Sequence, residues 1–267
     1  MYQDTSYDDN YNKEHQQDFY NLTDKKVRGL FLSKVFGMMF LCLLITTVVA
    51  VGLGFGFMYL LDQTKTVVDD VVTLDMNIVG TMIGILIGSA ITLIVMSFVL
   101  PIMFIRGRHN IIVPLMIYVI VMGVLLSSFV WVYDIAILAE AFGVTALIFG
   151  LMALIGYLSK GRLAGVGSVL IGLLIGAGVL MLVNFLMILI GGISETNVTL
   201  SWIVSLLIFA FLMLMTMWDV ARITTIASRT DNQGKNLIYY CAYILYSDFI
   251  AILIRVIYYL SLIVRRK

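Results

Sequence analysis

The chain is poor in charge. Only 12% of its 267 residues are Asp, Glu, Lys or Arg, while 61% are hydrophobic. A soluble domain carries about 25% charged residues, and so few charges cannot clothe so apolar a chain in water. The formal net charge is +1, so no basic field exists to attract nucleic acid, and none is expected as a partner. Cysteine is scarce. Cys42 and Cys241 both sit inside apolar runs, which suggests neither a disulfide framework nor a structural zinc site. Histidine is equally scarce. His15 and His109 lie outside the apolar runs, so an intramembrane Ser–His hydrolase lacks its base, and no H-E-x-x-H motif serves a metalloprotease. A G-x-G-D signature, a P-loop and a lysine in the last apolar run are missing as well. Neither an enzyme nor an organic cofactor is expected.

What the chain does contain is long apolar runs. They lie near 35–61, 77–105, 111–131, 135–158, 164–190, 200–221 and 237–263. Each is near or above the ~20 residues a helix needs to cross hydrocarbon. None alternates apolar and polar residues as a barrel strand does. The reading is an all-α fold, a polytopic integral membrane bundle of about seven transmembrane helices, surrounded by lipid bilayer. Residues 1–34 form a polar tail whose composition buries little and reads as disordered, and residues 35–264 form the transmembrane domain. The tail has no apolar h-region, so the first run reads as a span rather than a cleaved signal.

Loop charge sets the expected orientation. Lys13, Lys25, Lys26, Arg28 and Lys34 precede the first span, and Arg106, Arg108, Lys160, Arg162, Arg222, Arg229 and Lys235 fall in breaks on the same side. The opposite breaks hold Lys65 among Asp62, Asp69, Asp70, Asp75, Asp134 and Glu195. This asymmetry places the N-terminus in the cytoplasm. The polar N-terminal segment and the lack of a sorting tail point to a bacterial plasma membrane. Seven full crossings would put Arg265, Arg266 and Lys267 outside, against the charge rule. Either the last segment re-enters, or the first six spans override those charges; the run 237–263 is long enough to cross. Gly80, Gly84 and Gly88, and likewise Ser168, Gly172 and Gly176, form small-residue ridges where another helix is expected to approach. Pro101 lies inside the second span, and Pro114 near a helix start, where its missing N–H costs nothing.

An ionisable residue within a span is the first place to look for function. The candidates are Glu140, Asp219, Asp248 and Arg255, with Arg106 at a span end. Asp219 and Asp248 belong to consecutive antiparallel spans. They reach similar depth only if the sixth helix continues through Arg222 and Ile226. Two carboxylates that meet in a low-dielectric site share a proton rather than both ionise. They also offer hard oxygens to calcium, though two fall short of the ~6–8 it prefers. Such weak binding suits permeation better than storage. The plainer readings stand beside these: Asp219 paired with Arg222 in water, Asp248 hydrogen-bonding between helices, Arg255 as a counter-ion or snorkelling, and Glu140 as a carboxylate near the outer surface.

Three segments carry a family resemblance: Met217-Trp218-Asp219, Leu245-Tyr246-Ser247-Asp248-Phe249-Ile250, and EAFGVTALIFGLMALIGYLSKGRLAGVG from Glu140 to Gly167. With the second span ending in Arg106 and Arg108, they resemble the Bax-inhibitor family over roughly residues 30–263. The resemblance implies a seven-helix bundle in which Asp219 and Asp248 form a pH-sensing pair that binds or gates a cation. Family members are associated with a pH-dependent calcium leak. The resemblance also implies a basic latch, matched best by Arg106, with Arg108 as the other candidate. The chain departs from the family at Ser247, Ala251 and Arg222. A cation at Arg222 favours ionised Asp219 and moves a pH response downward; it also makes Arg222 a rival partner for the pair. The leading expectation is a pH-sensitive calcium leak channel. A proton-coupled transporter using the same residues, and a non-conducting scaffold that binds a membrane quality-control protease, are the alternatives.

Overall fold

The protein is represented by a computed structural model, which describes residues 25–63, 66–68, 71–73, 76–107, 110–159, 166–191, 195–229 and 234–264. The tail to residue 24, Arg108, His109, Lys160, Arg162 and residues 265–267 lie outside them. Seven long helices follow one another: α1 Lys25–Gln63, α2 Met76–Ile105, α3 Ile112–Val132, α4 Ile135–Leu158, α5 Val166–Gly191, α6 Glu195–Arg229 and α7 Gly234–Val264. All seven are long and apolar enough to cross a membrane. The chain is thus an all-α membrane bundle, as its hydropathy requires.

Two boundaries differ from expectation. Helix α1 begins at Lys25, ten residues before the apolar run; a basic cluster does not break a helix, since Lys and Arg are good helix formers. Between α1 and α2, β1 (Thr66–Val68) pairs antiparallel with β2 (Val71–Thr73), Thr66 opposite Thr73 and Val68 opposite Val71. The signal was present in two β-branched triplets separated by two residues, within a segment that reads by charge as an acidic loop. The end of the bundle carrying these strands is called the hairpin end below, and the opposite one the tail end.

Helix α7 occupies the centre. It packs against α1, α2, α3, α4 and α6, while α5 packs on α6. Burial and apolarity are opposed at the two extremes of the bundle. In its most apolar stretch α7 is 56% buried with mean hydropathy 1.8, whereas α5 is 11% buried with mean hydropathy 2.6. A lipid-facing helix must be apolar all round, but a helix sheathed by protein can carry polar groups that neighbours satisfy. Tyr246, fully buried on α7, shows this. Thr46 Oγ1 of α1 donates to the Val119 carbonyl of α3 at 3.2 Å, so the Tyr246 hydroxyl donates to Thr46 Oγ1 across 2.6 Å. Three helices are joined at that point. Helix α5 is tied to α6 by Asn184 Nδ2, which donates to Ser201 Oγ at 2.7 Å.

The expected small-residue ridges do not mediate packing. Gly80, Gly84, Gly88, Gly172 and Gly176 have open space where a Cβ would stand, and Ser168 is exposed. A repeat of small residues permits close approach without requiring it. The tight crossings lie elsewhere. A Cβ on Gly54 would stand 2.6 Å from Val130 Cβ, and one on Gly123 would stand 2.7 Å from Val49 Cβ. Both join α1 to α3. Pro101 falls in the last turns of α2 and Pro114 in the first turn of α3. Gly123→Val is expected to destabilise the detergent-solubilised protein by ~1–3 kcal/mol through overpacking, read as a lowered thermal midpoint. Gly84→Val should leave the midpoint unchanged. Equal effects would contradict this packing.

Candidate functional site

The acidic residues of α6 and α7 come together because α6 does not stop at the apolar boundary. It runs on through Arg222 to Arg229, and this carries Asp219 inside the helix rather than at its fraying end. Gly156 of α4 makes room for it. A Cβ there would collide with the Met217 carbonyl oxygen and crowd Val220, so the α6 backbone beside Asp219 lies directly on α4. Asp219 is 6% exposed, with Val220 and Ile223 also buried.

Asp248 lies on α7, flanked by buried Tyr246, Phe249 and Ile250. Phe249 is clamped between Phe142 and Phe149 of α4, with ring centroids 5.3 and 5.5 Å away. This clamp fixes the rotation of α7 and therefore the direction of its neighbour Asp248. The Asp248 Oδ2 atom is enclosed and has no hydrogen-bond partner among the described residues. A buried carboxylate oxygen without a donor is costly, so this is where a proton, a water or a cation gains most by binding. Asp219 is close enough to act electrostatically on Asp248. Ser247 turns its hydroxyl back to the Ile244 carbonyl at 2.8 Å.

The basic candidates are distributed differently. Arg222 is exposed; its guanidinium lies over the Trp218 ring, 4.7 Å from the centroid, and within electrostatic reach of Asp219. Arg106 is exposed in the turn after α2, just before Gly107, which has φ 67°. Among the described residues no ion pair joins Arg106 to either aspartate. Arg255 is half-buried and donates through Nη1 to Ser205 Oγ at 3.3 Å, and Ser205 also shares a 2.9 Å hydrogen bond with the Tyr259 hydroxyl. It therefore pins α7 to α6 towards the hairpin end, about 10 Å along the helix from Asp248. Glu140 is exposed on α4.

Sequence reasoning passed over the aromatic residues around the pair. Phe104 of α2 stacks on Tyr240 of α7 with centroids 4.0 Å apart and planes 6° apart, and Asp219 acts electrostatically on both Tyr240 and Cys241. No spacing rule identifies such a stack, because its members lie on helices far apart in sequence. Among the described residues no group of three or more His, Cys, Asp or Glu side chains gathers to hold a metal. The arrangement supplies two carboxylates and no closed coordination shell.

The family model for the inhibitor of apoptosis-promoting Bax1 matches residues 28–265. The chain belongs to that family. It is also similar to the inner membrane protein YbhL from two strains of Escherichia coli, each 34% identical over 139 residues, or 51% of this chain and 56% of the relative. The chain spans about half the length of the curated relatives it matches.

Cys241 reports on the packing around the pair, because it is fully buried beside Asp219. A membrane-permeant maleimide is expected to leave Cys241 unmodified in the folded protein and to label it on unfolding. Rapid labelling of the folded protein would show that the α6–α7 seam is open.

Proposed function

We propose that this member of the Bax-inhibitor family is a pH-sensitive leak for cations, with calcium as its cargo and Asp219 and Asp248 as its proton-sharing gate. The observation that carries the proposal is the enclosed Asp248 Oδ2 with no donor among the described residues, on a carboxylate within electrostatic reach of buried Asp219. Two carboxylates in such surroundings hold one proton between them more readily than none. With the proton present, the pair carries a single negative charge. When the proton leaves, the second charge must be met by a cation or relieved by separating α6 from α7. Proton and calcium thus compete for the same oxygens. Two carboxylates bind calcium weakly unless carbonyls or waters complete the shell, and weak binding lets an ion leave as well as enter.

The host membrane in this proposal is a bacterial plasma membrane, supported by the similarity to an Escherichia coli inner membrane protein. The cytoplasmic placement of the N-terminus is supported by the excess of Lys and Arg at the tail end. Arg222 tunes the gate, and Arg106, exposed on the same side, is free to approach it when α2 moves.

The test is calcium entry into dye-loaded liposomes between about pH 5 and pH 8, since a shared proton raises one carboxylate of a pair above the free aspartate range. Wild-type flux should change with pH, and Asp219→Asn, Asp248→Asn and the double variant should abolish the flux or flatten its pH dependence. Equal flux in all four, or none above empty liposomes, overturns the reading. Arg222→Gln removes a cation that favours the ionised form of Asp219. The pH midpoint of flux should therefore move to higher pH; an unchanged midpoint would remove Arg222 from the gate.

A further inference from the structure

A cavity of about 500 Å³ opens on the side of the bundle away from the α6–α7 seam, walled by α1, α3, α4 and α7. Helices α1 and α4 meet at an edge-on contact of Phe36 with Phe149, centroids 6.4 Å apart. Towards the hairpin end from there the cavity separates them. Phe40 and Leu44 of α1 and Phe142 of α4 stand at its mouth, Ala50 and Ala139 line its sides, and Ile250 of α7 lies at its floor.

The chemistry of the wall is one-sided. Two hydroxyl residues reach it, Thr46 and Thr47, and both are committed. Thr46 is bonded to Val119 and Tyr246, and Thr47 donates to the Leu43 carbonyl at 2.8 Å. A water in a cavity needs ~2–4 polar partners, and this wall offers no free donor, only the remaining lone pairs of two hydroxyl oxygens. An ion has still less to gain, so the cavity is not a branch of the cation path. Its rim is continuous with the lipid-facing surface, where Phe40 is 58% and Leu44 51% exposed. In that position the surrounding solvent is hydrocarbon.

Size and depth narrow the occupant. An apolar cavity of ~150 Å³ takes up one benzene ring, and by that proportion 500 Å³ holds on the order of 20 carbons. Phe40 to Val51 covers roughly 16 Å of helix at ~1.5 Å per residue, about half of the ~30 Å hydrocarbon layer. Both measures match one fatty-acyl chain of one leaflet. We infer that this cavity is a binding site for a single acyl chain of a membrane phospholipid, which enters between α1 and α4 and rests on α7. The chain fills the wedge that the two helices leave open and braces both against the central helix. This inference stands independently of the aspartate gate.

The test uses the full-length protein in liposomes of phosphatidylethanolamine and phosphatidylglycerol containing a phospholipid with a photoreactive diazirine on one acyl chain. Adducts mapped by mass spectrometry should concentrate on the α1 and α4 walls. They should saturate as the probe fraction rises, while labelling of lipid-facing Ile91 and Ile171 grows in proportion to it. Ala50→Phe and Ala139→Phe, which fill the cavity, should reduce wall adducts several-fold, and Ile91→Phe should not. Wall labelling that rises linearly like the rest of the surface, or that survives filling in variants retaining the wild-type thermal midpoint, overturns the inference. Should the filled variants fail to fold, the saturation curve of the wild type decides alone.

Discussion

The bundle is organised by one requirement: the polar residues of α7 must be kept out of hydrocarbon. That helix carries Tyr240, Tyr243, Tyr246, Asp248, Arg255 and Tyr259 within one crossing. An unsatisfied polar group costs several kcal/mol in a bilayer, so α7 is tenable only where protein surrounds it. Five helices do so. They share the work by chemistry, with Thr46 meeting Tyr246, Ser205 meeting Arg255 and Tyr259, and the rings of Tyr118 and Phe104 covering Tyr243 and Tyr240. The most lipid-exposed helix, α5, is correspondingly the most apolar.

This arrangement gives the chain two different interiors. Along the α6–α7 seam the interior holds two carboxylates, with one oxygen lacking a donor among the described residues. Between α1 and α4 it is apolar and open, with each nearby hydroxyl already bonded. Asp248 and Ile250, two residues apart on α7, serve the two regions: Asp248 is within electrostatic reach of Asp219 of α6, and Ile250 lines the cavity. The gate proposed at the seam and the acyl chain proposed in the wedge thus bear on the same rigid helix.

Much of this was legible in the residues. The seven spans follow from run length and from the shortage of charge, because only helices satisfy their own backbone across hydrocarbon. The extension of α6 past Arg222 followed from helix-compatible composition, and it is what places Asp219 inside the bundle. Membership of the family was readable from Trp218-Asp219 and from Leu245 to Ile250, since those short segments retain their order and spacing. Loop charge left the last segment as either a crossing or a re-entrant turn, because the chain ends in Arg265, Arg266 and Lys267, whereas the length of the run 237–263 favoured a crossing.

Local composition by itself therefore determined the membrane environment, the helices and the short list of ionisable residues, all of which depend on segments of about twenty residues. Tertiary structure decided which faces meet. It passed over the Gly80 and Ser168 ridges and chose Gly54, Gly123 and Gly156 for the close crossings, since a glycine permits approach but only a complementary neighbour, such as Val130, Val49 or the Met217 carbonyl, makes use of it. It set Arg255 on Ser205, and it opened the wedge between α1 and α4. These are arrangements between different helices, and no local pattern encodes them.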